Sequence, residues 1–170
     1  MNLEQHIRTV NDFPKEGIAF KDITPLLSNP EAVSQCLDEL LKLVGNQKID
    51  KVVGIESRGF FFATLLAQKL NAGFIPIRKR GKLPYKTYQA TYSLEYGEDI
   101  IEIHQDAISK GERVLLHDDV LATGGTAKAA AELITGLGGQ LVQCNFLIEL
   151  SFLNGRQLLS EHPVTSILTY

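Results

Sequence analysis

The chain has 170 residues, a formal charge of −3, 44% hydrophobic and 22% charged residues. That length suits one ordinary domain, and the composition belongs to a folded globular protein rather than a disordered one. The acidic total argues against a broad nucleic-acid surface, which would carry a basic face.

Leu3, Ile7 and Val10 share a helical face, so Leu3 to Val10 is read as a short helix. Asn11 to Ala19, with Pro14 and Gly17, is a loop. Ser28-Asn29-Pro30-Glu31 is a helix start, and Val33, Leu37, Leu40, Leu41 and Val44 continue at helical spacing to a stop at Gly45. Lys51 to Ile55 is a buried strand, Phe60 to Leu70 a helix and Gly73 to Ile77 a second strand. Between Lys79 and Asp106 the pattern changes to an inserted β-hairpin. Arg113 to His117 is a strand that ends in Asp118-Asp119, Ala127 to Leu137 a small-residue helix closed by Gly138-Gly139, and Leu141 to Leu150 a long apolar strand. Val164 to Leu168 is the last strand. Apolar strands alternating with helices predict an α/β fold with a parallel sheet covered on both faces.

The longest dense apolar stretch, Gly59 to Ala67, is far short of the roughly 20 residues that span a bilayer. Met1 to Arg8 is polar and mixed in charge, unlike a signal peptide. Cys36 and Cys144 lie far apart without a CxxC pair, and are read as reduced, buried thiols. A cytoplasmic location without membrane or nucleic-acid partners is the expectation.

The chemistry concentrates in residues 113–130, RVLLHDDVLATGGTAKAA. A strand, an acid pair, a glycine turn and a helix follow one another. Ligands of open α/β sheets bind at the carboxyl ends of strands, and a helix start offers N–H groups and a positive dipole end to a phosphate. Gly124 and Gly125 permit the turn and a close approach, and Thr123 and Thr126 add hydroxyls, so the loop suits one phosphate. Asp118 and Asp119 then suit a ribose diol, which donates to carboxylates, or a Mg²⁺ held through water. GxxxxGK[ST] and the spaced GxGxxG do not occur, which excludes the usual nucleotide and dinucleotide loops.

Three other constellations stand out. Glu56-Ser57-Arg58-Gly59 also sits between strand and helix, offering N–H groups and a guanidinium to an anion, unless Arg58 merely pairs with Glu56. Residues 78–94 hold Arg78, Lys79, Arg80, Lys82 and Lys86 and no acid, a local charge of +5 within an acidic body. With Tyr85, Tyr88, Tyr92 and Tyr96 close by, that strip is a solvated hairpin or a lid that closes over a diphosphate. Asp12 to Pro25 is broken by Pro14 and Gly17 yet keeps Phe13, Ile18 and Phe20, a loop able to offer an aromatic face to a planar base.

LLHDDVLATGGTA resembles the phosphoribosyl pyrophosphate motif of type I phosphoribosyltransferases. The resemblance implies that Asp118 and Asp119 hold ribose hydroxyls, while Ala122 and Thr123-Gly124-Gly125-Thr126 hold the 5′-phosphate. ESRGF is similar to the pyrophosphate loop of the adenine-specific branch, which implies that Ser57 and Arg58 meet pyrophosphate or base. IRKRGKLP…YSLEYG resembles that branch's flexible loop, implying Lys79, Lys82 and Tyr96 at the diphosphate and Glu95 as the acid that protonates the purine. By position in the N-terminal segment, Phe20 would stack on adenine, the Ala19 backbone would read its edge and Val120 would lie on the other face. Lys21 stands where some relatives have arginine, and His117 where the family has an aliphatic residue. His117 either reaches toward the site or is a satisfied buried histidine.

The resemblance runs from Phe13 to about Leu150. It implies a type I phosphoribosyltransferase-like parallel sheet flanked by helices in a single domain, with a small hood over about residues 1–30 and a hairpin lid over about 79–105. The implied reaction joins adenine and phosphoribosyl pyrophosphate to give AMP and pyrophosphate. It needs Mg²⁺ held mainly by diphosphate oxygens and water, with no direct protein ligand, and the implied assembly is a homodimer. The rival readings are the same transfer to another base, or a non-enzymatic regulator that senses phosphoribosyl pyrophosphate.

Overall fold

The computed structural model describes residues 2–94 and 97–170. The chain divides into two compact units, Met1–Glu39 and Leu40–Tyr170.

In the first unit a 3-10 turn over Leu3–His6 is followed by strands β1 (Arg8–Asn11) and β2 (Ala19–Asp22), which pair antiparallel. The helix expected over Leu3 to Val10 therefore stops at His6. Thr9 and Val10 are β-branched, and pairing with Lys21 and Phe20 supplies the backbone partners that a short isolated helix would lack. The turn between the strands is tied by the Gly17 N–H on Asp12 Oδ1 at 2.8 Å. Phe13 and Phe20 meet edge to face, with centroids 5.1 Å apart. Asp22 accepts the Thr24 N–H at 2.9 Å and starts a short helix, α1 (Thr24–Leu27), which the sequence reading missed. Asn29 Oδ1 accepts the N–H groups of Glu31 and Ala32, each at 3.0 Å. That cap begins α2 (Pro30–Val44) as expected.

The second unit carries a seven-stranded sheet in the order β5-β6-β4-β3-β7-β8-β9. Its strands are β3 (Lys51–Ile55), β4 (Gly73–Lys79), β5 (Thr87–Ser93), β6 (Glu98–His104), β7 (Arg113–Leu121), β8 (Gln140–Glu149) and β9 (Val164–Thr169). β4, β3, β7, β8 and β9 are parallel neighbours, while β5 and β6 form the hairpin that extends one edge antiparallel. Helices α3 (Gly59–Lys69) and α4 (Gly125–Gly136) pack against it. Alternation along β3 serves both helices. Val53 and Ile55 join a core with Ala127, Ala130 and Ile134 of α4. Gly54 lies so near α3 that a Cβ on it would come 2.7 Å from that of Ala63. Both faces of β3 are thus buried, which is why it reads as a continuous apolar run.

Two differences from the sequence reading matter for the site. β7 does not end at the acid pair but continues to Leu121, because β8 keeps pairing with it as far as Leu121 opposite Glu149. Residues 151–163, to which the sequence pattern assigned no element, carry 3-10 turns over Ser151–Leu153 and Gly155–Leu159.

Candidate active site

β3 pairs with β7 only as far as Gly54 opposite His117. Beyond that point β3 turns away into residues 56–58, and β7 projects with β8 as its remaining neighbour. Asp118 and Asp119 occupy the first two positions of that projection, at the strand end where open α/β sheets bind ligands. Gly59 begins α3 against this edge, where a Cβ would come 2.7 Å from Asp118 Oδ1.

The acid pair is a concentration of buried negative charge. Asp118 is partly buried, Asp119 is buried, and the Asp119 N–H donates to Asp118 Oδ1 at 2.9 Å. Burial, then the neighbouring Asp119 charge, push the Asp118 carboxyl well above the usual carboxylate range. Burial also raises Asp119, with Arg58 pulling it back. Arg58 Nε lies 3.0 Å from Asp119 Oδ2. This is an ion pair at contact distance whose N–H is not aimed squarely enough for a hydrogen bond, since Oδ2 has no hydrogen-bond partner. Such a pair of acids gains from hydroxyl donors or a cation placed beside it.

After β7, the chain turns at Gly124 with φ +86° and enters α4 at Gly125. Thr123 is exposed, and Gly125 and Thr126 are partly exposed at the helix start. No side chain caps this helix start, and the first N–H groups of a helix have no partner within it, which suits them to one phosphate. The hairpin reaches the same place: a Cβ on Gly125 would lie 3.6 Å from Ser93 O and 3.8 Å from the Tyr92 ring. An open groove of about 300 Å³ runs between them, lined in part by Tyr92, Ser93, Thr123, Gly125 and Lys128.

The loop after β3 has a cis peptide between Glu56 and Ser57. Arg58 faces Asp119, where the plainer reading of this motif set it against Glu56. Glu56 instead gathers the basic strip. Its carboxylate accepts from Arg78 Nε at 3.2 Å and the Lys79 N–H at 3.0 Å, and pairs with Lys82 Nζ. Burial would raise the Glu56 carboxyl, but these donors, Lys82 foremost, hold it below its usual value. Lys79 Nζ pairs with Asp99 at 2.8 Å, and the Gly81 N–H donates to Glu102 at 3.0 Å. Three of the five cations in the strip, Arg78, Lys79 and Lys82, are thus paired with acids brought from other elements, something a local charge count does not see. Glu95 and Tyr96, expected at the acid and diphosphate positions, lie outside the described residues.

In the first unit, Ala19 is exposed, Phe20 is partly buried against Phe13, and Lys21 Nζ donates to Thr9 Oγ1 at 3.0 Å. Val120, on β7, is partly buried. His117 is fully buried. Its Nδ1 lies 2.9 Å from Asn145 Oδ1, which makes Nδ1 the protonated nitrogen, and Nε2 has no hydrogen-bond partner. Burial holds the imidazole down at about 4, against a smaller upward pull from Asn145. It is a neutral core group, only half satisfied.

One contributor went unread in the sequence. Gly155 is buried against the backbone of Ala122 and Gly124. An Asn-Gly step after a long strand marks a turn, but nothing local marks what the turn rests on.

A buried acid pair, a glycine turn into a helix start and an opposing arginine thus gather at the carboxyl end of a parallel strand, as the resemblance to phosphoribosyltransferases led us to expect. The family model for the phosphoribosyl transferase domain matches residues 23–168, and the chain belongs to that family. It is 64% identical over its full length to an adenine phosphoribosyltransferase of Flavobacterium johnsoniae, covering all of that protein. Among solved structures it resembles the adenine phosphoribosyltransferase of Rhodothermus marinus with a TM-score of 0.95 and 55% identity, covering 99% of this chain and 96% of that one. It also resembles the Saccharomyces cerevisiae enzyme, solved with adenine and an imino-altritol bisphosphate, with a TM-score of 0.91 and 43% identity over 96% and 95% of the two chains.

Proposed function

We propose that this chain transfers the 5-phosphoribosyl group from phosphoribosyl pyrophosphate to adenine, releasing AMP and pyrophosphate. The observation that carries the reading is the acid pair, held between Arg58 and the Thr123–Thr126 turn on the projecting end of β7. Full-length relatives named for this reaction support the choice of base.

The reaction breaks the bond between ribose C1 and the diphosphate oxygen, whose electron pair leaves with pyrophosphate. A ring nitrogen of adenine supplies the new bond and gives up its proton. No covalent enzyme intermediate is needed, so the work is positioning and charge stabilisation. Asp118 and Asp119 accept from the ribose hydroxyls, and Ala122 with Thr123, Gly124, Gly125 and Thr126 holds the 5′-phosphate. Ser57 and Arg58 meet the leaving diphosphate, joined by Lys79, Lys82 and Tyr96 when the basic segment closes and excludes water. Glu95 acts as the acid on the base, and the proton of the reacting ring nitrogen is lost to solvent. Ala19, Phe20 and Lys21, and separately Val120, are assigned to adenine.

Mg²⁺, held mainly by diphosphate oxygens and water, would shield the diphosphate charge; the adjacent Asp118 and Asp119 carboxylates suit contact with such a reluctantly dehydrated ion through water rather than directly.

No helix among the described residues is long and apolar enough to cross a membrane. Buried free thiols at Cys36 and Cys144 support a cytoplasmic setting. The working form is read as a homodimer, supported by Phe61 and Leu65, which stand exposed one turn apart on α3; sedimentation at micromolar concentration tests it, and a monomer would refute it.

Calorimetric titration tests the site. AMP binds at least about 100-fold tighter than adenosine if the loop takes the phosphate through charge-assisted bonds; equal affinities would remove the phosphate from this loop.

A further inference from the structure

The Ala122–Gly124 backbone is seated on residues that the phosphate-loop motif does not include. Gly155 opens the turn Gly155–Leu159 and is buried. A Cβ on Gly155 would overlap Ala122 O and come 2.9 Å from both Gly124 N and Thr123 C. Conversely, a Cβ on Gly124 would overlap Gly155 O. The two backbones therefore touch with no side chain between them, and the glycine at each position is required by the other.

The turn that presents Gly155 is anchored. Asn154, at φ 55°, redirects the chain after the first 3-10 turn. Arg156 donates from Nε to Glu149 Oε1 at 2.9 Å, from Nη2 to Glu149 Oε2, and from Nη1 to Val164 O at 2.6 Å. Ser166 Oγ donates to the same Glu149 at 3.0 Å. Glu149 is buried and ends β8 directly opposite Leu121, the residue before Ala122. The Arg156–Glu149 pair thus ties the supporting turn to the same strand ends that launch the loop.

We infer that Gly155, held in place by the Arg156–Glu149 pair, is a positioning residue for the 5′-phosphate. It sets the Ala122–Gly124 backbone so that the N–H groups at the start of α4 converge on one phosphate. The inference rests on the reading of that loop as the 5′-phosphate site.

The test separates the two halves of the substrate. Affinities for ribose 5-phosphate and for pyrophosphate are measured by calorimetry on the wild type and on Gly155→Ala, Arg156→Lys and Thr126→Val. Gly155→Ala is expected to weaken ribose 5-phosphate by about 10- to 100-fold, the usual consequence of a misplacement near 1 Å. Its pyrophosphate affinity stays within about twofold, and KM for phosphoribosyl pyrophosphate rises while KM for adenine does not. Arg156→Lys adds no bulk at the loop and loses only the planar two-point pairing. It is expected to show the same selectivity with a smaller loss, and it carries the test if Gly155→Ala fails to fold. Equal weakening of both ligands, or no weakening, overturns the positioning role. A wild type that does not bind ribose 5-phosphate, or a Thr126→Val protein that binds it unchanged, overturns the reading of the loop itself.

Discussion

Arg58, on the turn after β3, sets its Nε 3.0 Å from Oδ2 of Asp119, on the projecting end of β7. The pair joins the two loops assigned to opposite ends of one substrate. Asp119 is buried, while a third of the Arg58 side chain is exposed, so the cation is the partner able to turn toward an incoming diphosphate. Arg58→Ala leaves a buried carboxylate without its opposing charge. We expect a stability loss of about 1–3 kcal/mol in urea unfolding. Turnover, followed by pyrophosphate release, should fall by about 10²–10³. Arg58→Lys restores more of the stability than of the turnover, because an ammonium lacks the planar fork. An Arg58→Ala protein with wild-type turnover would disprove the assignment.

Asp118 shows the cost of the acid pair. Burial and the Asp119 charge favour its protonated form in the folded state. The folded protein therefore holds a proton that the unfolded chain releases near pH 3.9, and stability is lost as pH rises from that value through the raised folded one. Asp118→Asn removes this loss. Its melting temperature relative to the wild type should climb as pH rises above about 4 through the raised folded value, while turnover falls about 10- to 100-fold for want of a carboxyl acceptor. A constant difference across that range would contradict the raised carboxyl.

Glu56 has the opposite sign. Burial works against its charge, but Lys82, the Lys79 N–H and Arg78 outweigh it. Its contribution to stability is complete above the unfolded value of about 4.3 and is lost as pH falls through the depressed folded one. Glu56→Gln should flatten that part of the acid limb in a pH series of melting curves. The same clamp implies that a diphosphate must take Lys82 from Glu56. Lys82→Ala should raise KM for phosphoribosyl pyrophosphate about tenfold, the worth of one charged hydrogen bond, and leave KM for adenine unchanged. An equal rise in both would point to general disruption instead.

Glu95 is assigned as the acid on the base. Glu95→Gln keeps the shape and loses the proton. We expect kcat to fall about 10²–10⁴-fold, with the acid–base limb of the pH–rate profile removed. Unaltered turnover would take Glu95 out of that role.

The sequence was most legible where local chemistry and local structure coincide. Asn29 and Pro30 announced α2, and Gly124-Gly125 announced the turn into α4. The acid pair was legible for the same reason: consecutive polar residues on an apolar strand have no structural use. Contacts between distant segments were not legible. Nothing near Arg78 in sequence reveals that Glu56 compensates it, and nothing near Gly124 reveals Gly155 beneath it. The end of β7 was placed too early because two aspartates read as a strand terminus, whereas pairing with β8 carries the strand on to Leu121. Strand β1 was taken for helix because Leu3, Ile7 and Val10 fit a helical face, and its partner Ala19–Asp22 lay in a segment read as loop.

Base selectivity tests the assignment of the whole site. Pyrophosphate release is followed after mixing the protein with Mg²⁺, phosphoribosyl pyrophosphate and, in parallel, adenine, hypoxanthine, guanine, xanthine or a pyrimidine. Adenine is expected to turn over, with kcat/KM at least about 10³-fold lower for the other bases, because a site built to match one hydrogen-bonding edge leaves buried polar groups unpaired with another. Turnover with hypoxanthine and none with adenine would contradict it.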